Sequence, residues 1–437
     1  MTAHSFLPVV ARVLLAAALL PLTGCANFRK LGRDLKFIDE TSVITCRITN
    51  ADRFPRVYGL VIEWDRETDK VLSADFAKVG EIGVFGFFVE RAENQYLIAF
   101  SDRNGNRIYD SGEPAWIHSD ASGAPAPVAI DPETKKARVS GSLSTTTKLP
   151  EDLLKAAREF KGARTAEEAA SGYRIPVDLG TIADLDDPKF SSKTGSDGLW
   201  KPASFPMESG IGIYFLEKYD PKKTPVLFVY GAAGSPQDWR TFFERIDRTK
   251  YQPWFYFYPT GARLDQMGTA LNNGVQILQA HYGFQKLHVV AHSMGGLVSR
   301  SFVVKNVIED EQPYIQRFVT ISTPWQGHAA AQMGIDMAPS VVPSWYDMKT
   351  DSDFQKDVFS RRLKGRVDHL LVYGHVPKGN KPLEEQTDGT VAVKSELSPA
   401  AVKDAVRVSG YEADHVGILS KDEVIREVFG FLGQGAE

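Results

Sequence analysis

The stretch from Leu287 to Gly296, LHVVAHSMGG, constrains the fold more than any other part of this chain. Leu287, Val289 and Val290 read as a buried strand, and Leu297, Val298, Phe302 and Val303 repeat as one face of a helix. Only a very sharp turn fits between them. A residue at such a turn is strained, so the positions two before and two after it must be nearly free of side chain. Ala291 and Gly295 meet that demand around Ser293, and Gly296 lets the helix close on the sheet. The pattern is A-x-S-x-G, a variant of the G-x-S-x-G elbow that presents a serine hydroxyl at a sheet edge. The pentapeptide alone also suits an ordinary glycine-rich turn. Strand before, helix after and partners downstream decide for the elbow.

Those partners follow in a telling order. Arg366 to Gly374, RVDHLLVYG, reads as a late strand, and beyond it Asp388 places a carboxylate next to the flexible Gly389. A second strand, Ala405 to Ser409, is followed by Asp414-His415-Val416-Gly417. A serine hydroxyl is a weak nucleophile until a neutral imidazole takes its proton, and that imidazole needs a carboxylate to fix its tautomer. His415 is the predicted base and Asp388 the predicted acid. Asp414 adjoins His415, so its side chain is expected to point elsewhere. Of the nine histidines, His288 and His369 lie within predicted strands and His292 directly precedes Ser293; packing or surface roles are expected for them. An oxyanion hole needs two N–H donors: Met294, after the serine, and Ala232, in the loop after the predicted strand Pro225 to Gly231. No G-x-x-x-x-G-K-[ST] or G-x-G-x-x-G pattern supports a phosphate-binding reading of that loop.

From about Leu199 to the C-terminus the chain resembles the bacterial lipase and esterase branch of the α/β-hydrolase superfamily. The residues that carry the resemblance are PVLFVYGAAGSPQDW, the AHSMGG elbow, ISTPWQG, TDGTVAV and DHVGIL. It implies a doubly wound, mostly parallel sheet over 199–437, with Ser293, Asp388 and His415 as triad and a cap at about 326–362. Two departures bear on the shape of the acyl pocket: Tyr230 stands where relatives carry His before the oxyanion glycine, and Trp325 fills the third place of T-P-H-x-G. Met333, Met337, Trp345, Tyr346, Met348 and Phe354 suit a pocket for variable chains, or ordinary cap packing.

The N-terminus points to an address. Arg12 precedes VLLAAALLPL, an apolar run too short to span a bilayer, which ends in Leu22-Thr23-Gly24-Cys25. This resembles the lipobox of bacterial lipoproteins, and implies a signal peptide at 1–24, lipidation of Cys25 and a tether at 25–36. Ala26 in place of Asp favours the outer membrane of a Gram-negative envelope. With Cys25 acylated, Cys46 is left without a partner and no disulfide framework exists. A hydrophobic fraction of 43% and a net charge of −4 describe a globular body. There is no basic stripe for nucleic acid.

Residues 37–147 alternate with the period of strands in SVITCRIT, RVYGLVIEW, GVFGFFVE and QYLIAFS, which suggests a small β-sandwich-like domain. Its protein partner, if it has one, is not readable. Within it, Asp102, Asn104, Asn106, Asp110 and Glu113 fall at positions 1, 3, 5, 9 and 12 of an EF-hand-type calcium loop. Arg107 occupies the position that wants glycine, and flanking helices are absent from the pattern. The competing reading is a metal-free turn held by Asn and Asp side chains. A charged, Ala-rich stretch suggests a helical linker over 148–198.

The expected architecture is therefore an α/β-hydrolase preceded by a small all-β domain. The expected activity is cleavage of carboxylic or lipid esters through an acyl-serine, with no cofactor required for catalysis. Acyl transfer by the same triad and a non-catalytic envelope binding module are the alternatives. An intact triad in the right chain order speaks against the latter.

Overall fold

A computed structural model describes residues 20–68, 70–159, 173–377, 383 and 386–433. The period-two stretches of the N-terminal part form β1 (Ser42–Ile48), β2 (Val57–Asp65), β3 (Lys70–Lys78), β4 (Val84–Val89), β5 (Gln95–Ser101), β6 (Ala115–Ile117), β7 (Lys136–Gly141) and β8 (Arg174–Ile175). They make two four-stranded sheets, ordered β7-β1-β4-β8 and β3-β2-β5-β6. Pairing is antiparallel except between β1 and β7. Ile44, Cys46, Phe85 and Phe87 of the first sheet share one core with Val61, Leu97 and Ala99 of the second, so the domain is a sandwich. Leu149 and Leu153 cover Trp64, Tyr96 and Ile98 on the outer face of the second sheet.

The C-terminal part builds one eight-stranded sheet from β9 (Val177–Ile182), β10 (Ile211–Phe215), β11 (Thr224–Val229), β12 (Tyr251–Phe257), β13 (Leu287–His292), β14 (Ile315–Ile321), β15 (Asp368–His375) and β16 (Arg407–Glu412). Their order is β16-β15-β14-β13-β11-β12-β10-β9. All neighbours are parallel except β10 and β12. The inner strands β11 to β14 are almost wholly buried because helices cover both faces of a parallel sheet, whereas the edge strands β9 and β16 are largely exposed or half-buried. Sequence order reverses around β11, which has β12 on one side and β13 on the other. The loops after β11 and β13 meet there, at the carboxyl ends of the strands, where ligands of open α/β sheets bind. The expected fold class, an α/β-hydrolase behind a small all-β domain, is the one observed.

Two segments differ from expectation. The stretch expected as a tether at 25–36 lies within a helix, Leu20–Glu40. Leu31 is fully buried, Phe28 packs edge-on against Trp200, and Phe37 packs against Phe88 and Tyr173. The Asp34 carboxylate accepts from the Ala203 and Ser204 N–H groups and the Ser204 hydroxyl, capping the helix Ser204–Ser209. An apolar stripe and a buried cap hold this segment against the body. The second difference is in the linker expected to be helical over 148–198. Its residues 160–172 lie outside the described residues; the rest is helical at Glu151–Glu159 and Ser192–Trp200 but contributes β8 and β9, whose Ile175, Val177 and Leu179 extend an edge of each sheet system.

Candidate active site

Ser293 sits between β13 and the helix Met294–Val304 with φ 54° and ψ −132°, a conformation that side chains rarely adopt. Its neighbours show why small residues are needed. A Cβ on Gly295 would lie 2.4 Å from the Tyr230 carbonyl oxygen, and one on Gly296 would lie 2.0 Å from Thr323 Oγ1. The Ser293 N–H donates to the Ile321 carbonyl at 2.8 Å, which ties the elbow to β14.

The structure brings all three predicted partners together. His415 Nε2 lies 3.0 Å from Ser293 Oγ, and His415 Nδ1 lies 2.5 Å from Asp388 Oδ2. The carboxylate requires a proton on Nδ1, which leaves Nε2 free to accept the serine proton. Asp388 is fully buried, and its Oδ1 accepts from the N–H groups of Thr390 at 2.9 Å and Val391 at 2.7 Å. Burial works against its charge, but the hydrogen bond and charge of His415 and the two N–H donors outweigh it, and its carboxyl is held below the usual range. Asp414 points elsewhere, as expected: its Oδ1 accepts from the N–H groups of Val416 and Gly417.

The two candidate oxyanion donors flank the serine. Met294 is the first residue of its helix, so its N–H has no helical acceptor and lies at the positive end of the helix dipole. Ala232 is exposed on the loop after β11. That loop touches the serine so closely that a Cβ on Gly231 would lie 2.7 Å from Ser293 Cβ.

Residues missed by motif reading also converge here. His292 is buried, and its Nε2–H donates to the His415 carbonyl at 2.8 Å. Burial first, then the charge of His415, pushes its ring down to about 3, so it stays neutral. Glu396 is fully buried and accepts from the Gly374 N–H at 3.4 Å. Burial, reinforced by the charge of Asp388, pushes its carboxyl up to about 9. His328 donates from Nε2 to the Thr390 carbonyl at 2.8 Å, fastening the start of the helix Ala329–Met337 to the loop of Asp388. Nothing in sequence spacing distinguished these residues from packed or surface ones, apart from the place of His292 next to the serine.

The cap stretch forms three short helices, Ala329–Met337, Pro343–Met348 and Asp353–Ser360. Met333, Met337 and Tyr346 are exposed, whereas Met348 and Phe354 are buried. Trp325 turns into the core against Phe359 and His369. The Cys25 side chain and the leader up to residue 19 lie outside the described residues.

In the β-domain, Asp102 accepts from the N–H groups of Gly105, Asn106 and Arg107, and Glu113 from those of Arg103 and Asp110. Asp110 accepts from the side-chain amides of Asn104 and Asn106. Arg107 takes φ 60°, the left-handed conformation for which the calcium loop uses glycine. Among the described residues, no group of three or more His, Cys, Asp or Glu side chains is arranged to hold a metal ion.

Residues 259–434 match a family described as an alpha/beta hydrolase of unknown function. No curated protein matches the chain. Among solved structures, a Listeria innocua gene product is 15% identical with a TM-score of 0.38, over 49% of this chain and 96% of that one. The mature form of the Bacillus licheniformis lipase BlEst2 is 21% identical with a TM-score of 0.38, over 49% of this chain and 94% of that one. A carboxylesterase of Nitrososphaera gargenis is 13% identical with a TM-score of 0.35, over 52% and 95%. Strand order, elbow and family match agree, and the C-terminal body of this chain has the α/β-hydrolase fold.

Proposed function

We propose that this chain is a serine ester hydrolase of the bacterial envelope, acting on carboxylic or lipid esters through an acyl-Ser293 intermediate. The observation that carries the reading is the unbroken hydrogen-bonded line from Ser293 Oγ through His415 to the buried Asp388, set on a strained elbow. In this mechanism Ser293 Oγ attacks the ester carbonyl and its proton passes to His415 Nε2. The tetrahedral oxyanion receives the N–H groups of Ala232 and Met294. Collapse breaks the ester C–O bond, and the departing alkoxide takes the proton from His415. Water, deprotonated by the same imidazole, then attacks the acyl carbonyl; the acyl–Oγ bond breaks, Ser293 Oγ recovers the proton from His415, and the carboxylic acid leaves. Asp388 stays ionised throughout and stabilises the imidazolium. Lipidation of Cys25 would anchor the enzyme to the outer membrane, and the part of the helix Leu20–Glu40 that follows Cys25, docked on the body, would hold the two close together.

The test is a panel of p-nitrophenyl acyl esters of increasing chain length with the wild type and Ser293→Ala. The wild type should turn over at least one ester, and Ser293→Ala should lose on the order of a millionfold in kcat. Turnover that survives Ser293→Ala would refute the proposal.

A further inference from the structure

The departure at Tyr230, where relatives carry His, is resolved by a second tyrosine. Tyr230 and Tyr258 stand side by side just past the ends of β11 and β12, each 1% exposed, with ring centroids 4.9 Å apart. Their polar atoms cross. The Tyr258 hydroxyl donates to the Tyr230 carbonyl at 2.7 Å. The Tyr230 hydroxyl donates to the Tyr258 carbonyl and accepts from the Tyr258 N–H, both at 2.9 Å. Two residues further along, Thr260 Oγ1 accepts from the Ala233 N–H at 3.1 Å, and Ala233 is held at φ 55°. The loop after β12 therefore grips the loop after β11 on both sides of Ala232.

Buried tyrosine hydroxyls usually find a partner, and here each one bonds the backbone carbonyl of the other tyrosine, so the stack joins the two loops. The Tyr230 carbonyl that receives the Tyr258 hydroxyl is also the atom against which Gly295 of the elbow packs. One oxygen thus fixes the spacing between the Ala232 loop and the serine. Non-glycine residues with positive φ persist only where surroundings over-determine them, and Thr260 supplies that constraint at Ala233.

We infer that Tyr258 and Thr260 are positioning residues that aim the Ala232 N–H at the transition-state oxyanion. The inference rests on the serine-hydrolase reading above. An oxyanion donor acts only when it is aimed at the place the oxyanion will occupy, and loss of one costs on the order of 100–1000-fold in kcat. A donor left in place but misdirected should cost part of that, about tenfold.

The experiment uses Tyr258→Phe and Thr260→Val, each of which removes one hydrogen bond and keeps side-chain volume. Tyr256→Phe is the control, because Tyr256 stacks on Tyr258 but sends its hydroxyl to the Met267 carbonyl. The readouts are kcat and KM on a p-nitrophenyl ester that the wild type accepts, the affinity of phenylboronic acid, and the thermal midpoint. The boronate forms a tetrahedral adduct with Ser293, so it reports the oxyanion site rather than the ground state. Each variant should lower kcat and boronate affinity by the same factor, about tenfold, with KM within about twofold. Tyr256→Phe should leave both unchanged whatever it does to the midpoint. A loss confined to KM, an unchanged kcat beside a lowered midpoint, or an equal loss in Tyr256→Phe would overturn the assignment. A wild type that neither turns over esters nor binds the boronate refutes the hydrolase reading, and the positioning roles fall with it.

Discussion

Asp388→Asn is the sharpest probe of the site, because the structure dictates how the amide must turn. Asp388 Oδ1 accepts from the Thr390 and Val391 N–H groups, while Oδ2 faces His415 Nδ1 at 2.5 Å. The two backbone donors require an oxygen, so the asparagine places its NH₂ against Nδ1. Nδ1 must then act as acceptor, the ring proton moves to Nε2, and Ser293 meets a donor where it needs a base. Inversion of the tautomer in a comparable triad lowers kcat about ten-thousandfold, or about 5.5 kcal/mol of transition-state stabilisation. No group in contact with the acyl chain changes, so KM should hold. The assay is steady-state hydrolysis of a p-nitrophenyl ester beside Asp414→Asn, whose amide oxygen can still accept from Val416 and Gly417 and should cost little. A kcat within tenfold of wild type for Asp388→Asn, or a larger loss for Asp414→Asn, would refute the assignment of the acid.

Three further outcomes are expected. The Glu396 carboxyl titrates near 9 in the fold and near 4.5 when exposed, so the folded state holds an extra proton between those values and loses stability as pH rises through them. The slope is up to about 1.4 kcal/mol per pH unit, and Glu396→Gln should flatten it in urea unfolding at pH 5, 7 and 9; parallel curves would place the proton elsewhere. Cys25→Ser should release the protein from membranes, since it removes the thiol that would carry the lipid; retention after a salt wash would count against lipidation. Thermal unfolding of the full chain with calcium and with a chelator should give equal midpoints, because the carboxylates of Asp102, Asp110 and Glu113 already serve N–H and amide donors. A rise on the order of 2.7 kcal/mol at a hundredfold excess over Kd, lost in Asp102→Ala, would show instead that a hard cation displaces those bonds.

What could be read without coordinates was chemistry carried by local geometry. Ser293 announces itself because a strained turn forces Ala291 and Gly295 on its flanks, and Asp388 and His415 each lie beyond a strand end, in loops that the parallel sheet brings to one edge. The same logic placed β1, β2, β4 and β5, whose alternation is strong. It missed β3, where KVLSADFAK has a partly exposed, mixed pattern that only pairing with β2 organises. Contacts between distant segments leave no such local trace. His292 was read as a packed or surface histidine and is buried; its bond to His415 exists because residues 123 apart meet at the carboxyl ends of the strands. Glu396 lies in a four-residue helix, Val393–Glu396, and becomes a proton-holding neighbour of the acid only through burial against Gly374. Asp34 sat in a segment expected to be a tether, because its value as a cap depends on a helix 170 residues further on. Tyr230 is the instructive case. It broke the pattern of relatives, and a local reading assigns such a break to the acyl pocket. Its ring is sealed in the core and its carbonyl accepts from the Tyr258 hydroxyl, the contact from which we infer a positioning role for Tyr258.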